Sequence, residues 1–169
     1  MIDNRVNNIK PSFTLEMATK AAEMRSEGID VINFSVGEPD FNTPKHICDA
    51  AKNAIDNGYT KYTAGPGMIE ARQAICKKLE RDNGLYYSPD NVLISNGEKQ
   101  SLFTACQALF NPGDRVIVFT PYWVSFPEFV RMADAEPVLI NTLANNNYEP
   151  DFDALNKKIK KNIKGVIIN

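Results

Sequence analysis

The stretch VLISNGEKQSLF, residues 92–103, decides the fold class because it joins a short apolar run to a helical pattern through a tight turn. The run 92–94 has the apolar, partly β-branched composition of a strand that is covered on both faces. The turn follows at once, and the helical pattern begins at Gly97. A strand, a short turn and a helix in this order are typical of α/β proteins. The stretch therefore predicts one strand–turn–helix unit of an α/β fold.

The same turn is a candidate anion site. If the helix begins at Gly97, the main-chain amides of Gly97, Glu98 and Lys99 lie in its first turn, where no helix carbonyl accepts their hydrogen bonds. The positive end of the helix dipole also attracts negatively charged groups. Ser95 and Glu98, however, match an S-x-x-E capping box, which would engage these donors without a ligand. The motif taken alone favours the capping box.

The rest of the carboxyl-terminal region repeats this alternation. Three further short, mostly β-branched runs lie at 116–119, 138–140 and 166–168. Helical patterns separate or flank the four runs, at 102–109, 123–133 and 152–159. Strands that alternate with helices predict a mostly parallel sheet flanked by helices, with right-handed crossovers.

Three helices are predicted before this region. The first extends from the cap-like Ser12 to Gly28, and the third contains the apolar positions 68, 71, 75 and 79 before it closes at Gly84. The second begins with Thr43 as N-cap and Pro44 as the first helical residue.

Composition excludes several classes of function. The 169 residues are 43% hydrophobic and 24% charged, with a formal net charge of -2, so the chain can bury a core and lacks the basic surface of a nucleic-acid-binding protein. Cys48, Cys76 and Cys106 lack C-x-x-C spacing, so we expect free buried thiols and no metal site. No signal-peptide core or membrane-spanning run occurs, which favours a cytoplasmic protein without membrane partners.

Two other stretches carry candidate ligand groups. In SVGEPDFNTP, residues 35–44, Gly37 forms a turn with an exposed amide, although an ordinary connecting loop is an equally simple interpretation. In TPYWVS, residues 120–125, the only tryptophan, Trp123, follows a predicted strand. Tryptophan in such a place is usually part of the core, yet at the carboxyl end of a strand it can also serve as a flat stacking surface.

Together the motifs resemble one family closely: fold-type-I, pyridoxal-phosphate-dependent aminotransferases, in the bacterial-type aspartate aminotransferase branch. The stretches that carry the resemblance, in the family's order and spacing, are SVGEPDFNTP, KYTAGPGMIEARQAI, SNGEKQSLF, NPGDRVIVFTPYWVSFPE and GVIIN. The resemblance implies a PLP-dependent transferase-like large domain with an amino-terminal helical arm. We expect residues 1–43 to form the arm and small-domain segment and residues 44–169 to form the first half of the large domain. Because GVIIN ends the chain at a predicted buried strand, we also expect a truncated, amino-terminal fragment of a longer enzyme.

The resemblance implies that the cofactor is pyridoxal 5′-phosphate and assigns its ligands. The amides of Glu98 and Lys99 would hold the phosphate, and Gly97 would allow its close approach. The Glu98 carboxylate, unusual at this position, is expected to point away. Trp123 would stack on the pyridine ring. Tyr62 would reach the phosphate of the neighbouring subunit, which implies a homodimer, although a tyrosine in a turn can equally be a surface residue.

Substrate contacts follow from the same resemblance. The Gly37 amide would hold the substrate α-carboxylate beside Trp123, and Lys99 would face the distal carboxylate of a dicarboxylic substrate. Lys10 matches a lysine linked in some relatives to prephenate. Both lysines could instead be ordinary solvated charges. His46, the single histidine, is expected to be exposed and without a catalytic role.

The resemblance places no catalytic residue in this chain, because the Schiff-base lysine would lie beyond Asn169. The chain by itself is therefore expected to be inactive. For the whole enzyme, the favoured reaction transfers the amino group of aspartate to 2-oxoglutarate. The alternatives are a prephenate or aromatic amino-acid aminotransferase and, in a different class, an aminotransferase-like domain that binds or regulates without turnover.

Overall fold

The computed structural model describes residues 4–159 and 163–169. The helices are α1 (Asn4–Asn7), α2 (Phe13–Ser26), α3 (Lys45–Asp56), α4 (Ile69–Asn83), α5 (Glu98–Leu109), α6 (Phe126–Met132) and α7 (Phe152–Lys158). The strands are β1 (Arg115–Thr120), β2 (Glu136–Asn141) and β3 (Ile163–Ile167), and two short 3-10 helices occupy Pro89–Asn91 and Ala144–Asn146. No helix of the described ranges combines the length and apolar character that a membrane crossing needs.

The chain divides into two compact units. The first, called the sheet unit, contains the described residues of Met1–Val36 and Leu102–Asn169. The second, called the turn unit, is Gly37–Ser101. The expected division into 1–43 and 44–169 concerns the domains of a larger enzyme and stays a prediction.

The sheet unit contains a parallel three-stranded sheet in the order β2-β1-β3. Ile117 of the central strand lies between Val138 and Val166 of its two neighbours. The predicted runs at 116–119 and 138–140 are confirmed as strands. The third run is confirmed with shifted limits, since β3 begins at Ile163 and ends before Ile168. Val166 is half-exposed, so β3 is not covered on both faces among the described residues.

Helices cover both faces of β1, as the alternation of elements predicts. On one face, Val118 packs in a cluster with Cys106 of α5 and Phe129 of α6. On the other face, Ile117 belongs to a cluster with the two buried β2 residues, against which Leu155 of α7 packs. Successive strand residues point to opposite faces, so the β1 sequence VIV supplies both cores. This three-layer packing confirms the α/β class.

The three predicted amino-terminal helices are confirmed, with one corrected boundary. Ser12 caps α2 through its Oγ, which accepts from the Leu15 amide at 3.5 Å, and Gly84 closes α4 in the left-handed conformation. The N-cap predicted at Thr43 is wrong by one residue. Pro44 occupies the cap because its carbonyl accepts from the amides of Ile47 and Cys48 while its own backbone stays extended.

The strand predicted at 92–94 is wrong. The segment is extended at Val92, with φ −115° and ψ 127°, but it pairs with no strand among the described residues. Its main-chain bonds run instead to carbonyls outside a sheet, from the Val92 amide to Pro89 at 3.2 Å and from the Ile94 amide to Pro66 at 3.0 Å. An apolar run becomes a ladder strand only beside another strand, and composition does not report whether one is present.

The cysteines are free thiols, as predicted, but only Cys106 is buried. Cys48 and Cys76 are half-buried, so the expectation of three buried thiols is wrong for these two. Burial raises the pKa of the Cys106 thiol. His46 is exposed in the first turn of α3, as predicted.

Candidate functional site

The turn before α5 is built around Gly97, whose φ of +81° favours glycine. The Gly97 amide donates to the Ser95 carbonyl at 2.8 Å, and the Gly97 carbonyl accepts from the Ser101 amide at 3.3 Å. The expectation that the amides of Gly97, Glu98 and Lys99 all lie open is therefore wrong for Gly97. The Gly97 amide is already engaged by a hydrogen bond within the turn.

The capping box predicted between Ser95 and Glu98 does not form. The Ser95 hydroxyl is hydrogen-bonded to the Ser101 hydroxyl instead, and the Gln100 side chain accepts from the Asn96 amide at 2.6 Å. The Glu98 amide consequently has no hydrogen-bond acceptor within the part of the chain that the structure describes. The two serine hydroxyls pair with each other and Gln100 engages the Asn96 amide, so the Glu98 amide is left open at the start of a twelve-residue helix.

This arrangement fits an anionic group. The Glu98 amide lies in the first turn of α5, where the helix dipole favours negative charge. Gly97 presents no Cβ on the approach, and a Cβ built there would meet nothing within 4 Å. Lys99 adds a cationic side chain that is exposed in the same turn. A phosphate group matches the open amide and the bare backbone, and of the two exposed charges of the turn the Lys99 ammonium favours it while the Glu98 carboxylate opposes it.

Trp123 lies in the sheet unit, three residues after β1 ends at Thr120. The helical stripe predicted to include it is wrong at this position, because α6 begins only at Phe126, whose amide donates to the Trp123 carbonyl at 3.0 Å. The indole is half-buried and packs edge-on against Phe126 and Phe129, with ring centroids 5.5 Å and 5.9 Å away. The two edge-on contacts, at interplanar angles of 89° and 70°, support the indole from one side, as a stacking surface requires.

The remaining predicted site residues are exposed. Tyr62 is fully exposed, and Gly37 lies in a segment without regular structure, both in the turn unit. Lys10, in the sheet unit, lies at a cavity of about 480 Å³ that Tyr122 and Glu128 also line. The described structure therefore brings Gly97, Glu98 and Lys99 into one turn, and it shows the other predicted residues accessible in their own units.

Sequence reasoning missed two residues behind the turn, Arg72 and Gly67. Arg72 is a buried arginine of α4 that donates from Nε to the Gly67 carbonyl at 3.2 Å. Its signal in the sequence is position, since it follows Met68 by four residues on the predicted apolar stripe of that helix. A charged residue on such a stripe is a candidate for a structural hydrogen-bond donor.

The chain belongs to the aminotransferase class I and II family, whose model matches residues 29–169. Aminotransferases of this family use pyridoxal 5′-phosphate. The resemblance of the five motifs to this family is thereby confirmed.

Individual relatives narrow the comparison. The chain is 45% identical over its whole length to an aspartate aminotransferase of Bacillus sp. (strain YM-2) and covers 43% of that protein. It is 40% identical to the aspartate/prephenate aminotransferase of Thermus thermophilus, with 99% of the chain and 44% of that protein covered. The solved structure of the Thermus thermophilus aspartate aminotransferase with maleate matches the whole chain with a TM-score of 0.94 and 40% identity, over 44% of that chain. The chain thus spans less than half the length of these relatives.

Proposed function

We propose that the protein carrying this chain is an aspartate aminotransferase, which moves the amino group of aspartate to 2-oxoglutarate. The observation that carries the proposal is the Glu98 amide, which follows Gly97 at the start of α5 and has no hydrogen-bond acceptor among the described residues. The 45% identity to an aspartate aminotransferase over the full chain supports the choice of reaction. The proposal applies to the full-length gene product.

In this proposal the cofactor phosphate lies at the turn before α5. The amides of Glu98 and Lys99 donate to it, and Gly97 lets it approach the backbone. Trp123 stacks on the cofactor ring, and the edge-on contacts with Phe126 and Phe129 limit rotation of the indole. Tyr62 reaches the phosphate of a neighbouring subunit. When bound, the cofactor supplies an electron sink that makes the α-proton of an amino acid removable.

The substrate contacts follow the same scheme. The Gly37 amide donates to the α-carboxylate, and the Lys99 ammonium pairs with the distal carboxylate of aspartate or 2-oxoglutarate. A dicarboxylic substrate is favoured because one cation at the distal end lowers the free energy of binding only if the substrate carries a second negative charge there.

The assembly proposed is a cytoplasmic homodimer. It follows from the role proposed for Tyr62, whose fully exposed ring is accessible to a neighbouring subunit. Light scattering of the full-length protein tests this assembly, and a monomer at micromolar concentration contradicts it.

A steady-state assay of the full-length protein tests the reaction. With the cofactor and 2-oxoglutarate present, aspartate should be converted to oxaloacetate, and alanine, which lacks the distal carboxylate, should be a much poorer donor. Lys99→Gln should raise KM for aspartate more than KM for alanine. Equal use of aspartate and alanine, or no turnover of either, contradicts the proposed function.

Prephenate is a second candidate acceptor. Proteins of this double activity, from Thermus thermophilus and Nitrosomonas europaea, are 40% and 44% identical to the chain. Lys10 at its cavity offers a cation for an additional carboxylate. Lys10→Gln should weaken transfer to prephenate and leave transfer to 2-oxoglutarate nearly unchanged. An equal effect on both acceptors contradicts a specific role for Lys10.

A further inference from the structure

Arg72 is the only buried charged residue among those that the structure describes, with 9% of its surface exposed. It lies near the start of α4, and two guanidinium nitrogens donate to main-chain carbonyls. The bond from Nε to the Gly67 carbonyl is 3.2 Å long, and the bond from Nη1 to the Pro89 carbonyl is 2.8 Å long. A planar guanidinium holds its donors in a fixed relative geometry. Arg72 therefore joins the loop before α4 to the short helix Pro89–Asn91.

The acidic neighbour of Arg72 contributes little to this arrangement. Asp90 Oδ1 lies 3.7 Å from Nη1, and the Asp90 side chain is almost fully exposed. An ion pair of this kind is screened by water. The two carbonyl bonds, which are partly buried, are the contacts that fix the guanidinium.

The loop that Arg72 holds lies directly against the segment that leads into the turn. Gly67 has a φ of +100°, and a Cβ placed on it would lie 3.0 Å from the Ile94 Cβ. The Ile94 amide donates to the Pro66 carbonyl at 3.0 Å. Gly67 is thus required both by its backbone conformation and by the close approach of Ile94.

This contact joins two segments that the proposed function places at different phosphates of the dimer: the turn at Gly97 holds the phosphate of its own subunit, and Tyr62 reaches that of the neighbouring subunit. Tyr62 precedes Gly67 by five residues, and Gly97 follows Ile94 by three. We infer that Arg72 is a positioning residue that holds the Tyr62 loop and the segment entering the turn at Gly97 in place, and so controls how tightly the cofactor phosphate is held in both sites of the dimer. The inference rests on the proposed function and deepens it by assigning a role to a residue outside the site.

The chemistry of the contact requires arginine. Two carbonyls that belong to different segments accept from two nitrogens of one rigid group. A lysine carries its donors on one nitrogen and can replace one of these bonds well, but not both. Arg72→Lys should therefore fall between wild type and Arg72→Gln, which loses the cation and both bonds.

The test uses the full-length protein and a matched control on the same helix. Arg81 also lies on α4, but its side chain is exposed and, within residues 4–159 and 163–169, pairs only with the neighbouring Asp82. Arg72→Gln should weaken binding of pyridoxal 5′-phosphate about tenfold or more, which corresponds to losing roughly one charged hydrogen bond. Arg81→Gln should leave the dissociation constant unchanged. At saturating cofactor, kcat should change less than the dissociation constant.

Hydrogen exchange of the cofactor-free protein supplies a second readout. In Arg72→Gln, peptides that cover residues 62–67 and 94–101 should exchange faster together, and in Arg81→Gln neither should change. A purely structural role for Arg72 would instead raise exchange along α4 while the two phosphate segments keep their rates. That result overturns the inference.

A second pair of variants covers the case in which Arg72→Gln fails to fold. Gly67→Ala introduces the contact with Ile94, whereas Gly58→Ala has a comparable φ of +78° and meets nothing within 4 Å. Gly67→Ala should weaken cofactor binding and Gly58→Ala should not. If wild type does not bind the cofactor, the proposed function fails. If wild type binds it and both members of each pair bind it equally, the positioning role alone is refuted.

Discussion

Gly97→Ala separates the cost of a strained turn from the loss of a ligand contact. Gly97 has a φ of +81°, and a Cβ built there meets no atom within 4 Å outside its chain neighbours. The expected cost in folding free energy is therefore that of the backbone alone, about 1–2 kcal/mol for a non-glycine residue in the left-handed region. In the proposed function the phosphate approaches the backbone at Gly97, so we expect the added methyl group to hinder its binding.

The expected loss of cofactor affinity is larger than this folding cost implies. Losing one charge-assisted hydrogen bond costs about 1.5–3 kcal/mol, or roughly a tenfold to 150-fold weaker dissociation constant. Gly113→Ala is the matched control, because Gly113 has a φ of +85° and equally open surroundings. Urea unfolding and cofactor titration of the full-length variants give the two quantities.

Both variants should shift the urea midpoint by similar amounts, and only Gly97→Ala should weaken cofactor binding. If Gly97→Ala binds pyridoxal 5′-phosphate as tightly as Gly113→Ala, the assignment of the turn as the phosphate site is wrong. A much larger loss of stability in Gly97→Ala than in Gly113→Ala would contradict the open surroundings of Gly97.

Two further predictions concern the core of the sheet unit. Ile140→Ala should lower the free energy of unfolding by about 2–5 kcal/mol because Ile140 is 1% exposed. In the same urea experiment Ile32→Ala, at a residue that is 78% exposed, should change it by no more than about 0.5 kcal/mol, and equal losses contradict the assigned core. Burial raises the pKa of Cys106, so the folded chain binds the thiol proton more tightly than the unfolded chain. The resulting contribution to the free energy of unfolding is complete below the ordinary thiol pKa of about 8.5, and it is lost as the pH rises through the higher pKa of the folded state. The difference in urea midpoint between wild type and Cys106→Ala should be smaller at about pH 10 than at about pH 7.5. A constant difference refutes the raised pKa of the Cys106 thiol.

The sequence predicts the sheet well because its strands are specified locally. The runs in β1 and β2 are apolar and β-branched, and the helices between them carry clear apolar stripes and end signals. The run at 92–94 has a similar composition but lacks a neighbouring strand among the described residues. Composition measures the tendency to form a strand, whereas pairing depends on distant residues that a local pattern does not contain.

The candidate site is predicted less completely, for a different reason. The capping box at Ser95 and Glu98 is a valid local pattern, but Ser101 competes for the same hydroxyl from the next turn of the helix. The role of Arg72 depends on Gly67 and Pro89, the latter seventeen residues away in sequence. Such contacts arise from the tertiary fold, so the resemblance to a family could assign the ligand residues but not the group that positions them.

Binding of pyridoxal 5′-phosphate compared with pyridoxal tests the central claim most directly, because the two differ only in the phosphate. If the turn before α5 holds that phosphate through charge-assisted bonds from two amides, the dissociation constant of pyridoxal from the full-length protein should be at least about a hundredfold higher than that of pyridoxal 5′-phosphate. Inorganic phosphate should then compete with the cofactor. Equal affinities for the two compounds, with no competition by phosphate, would contradict the account.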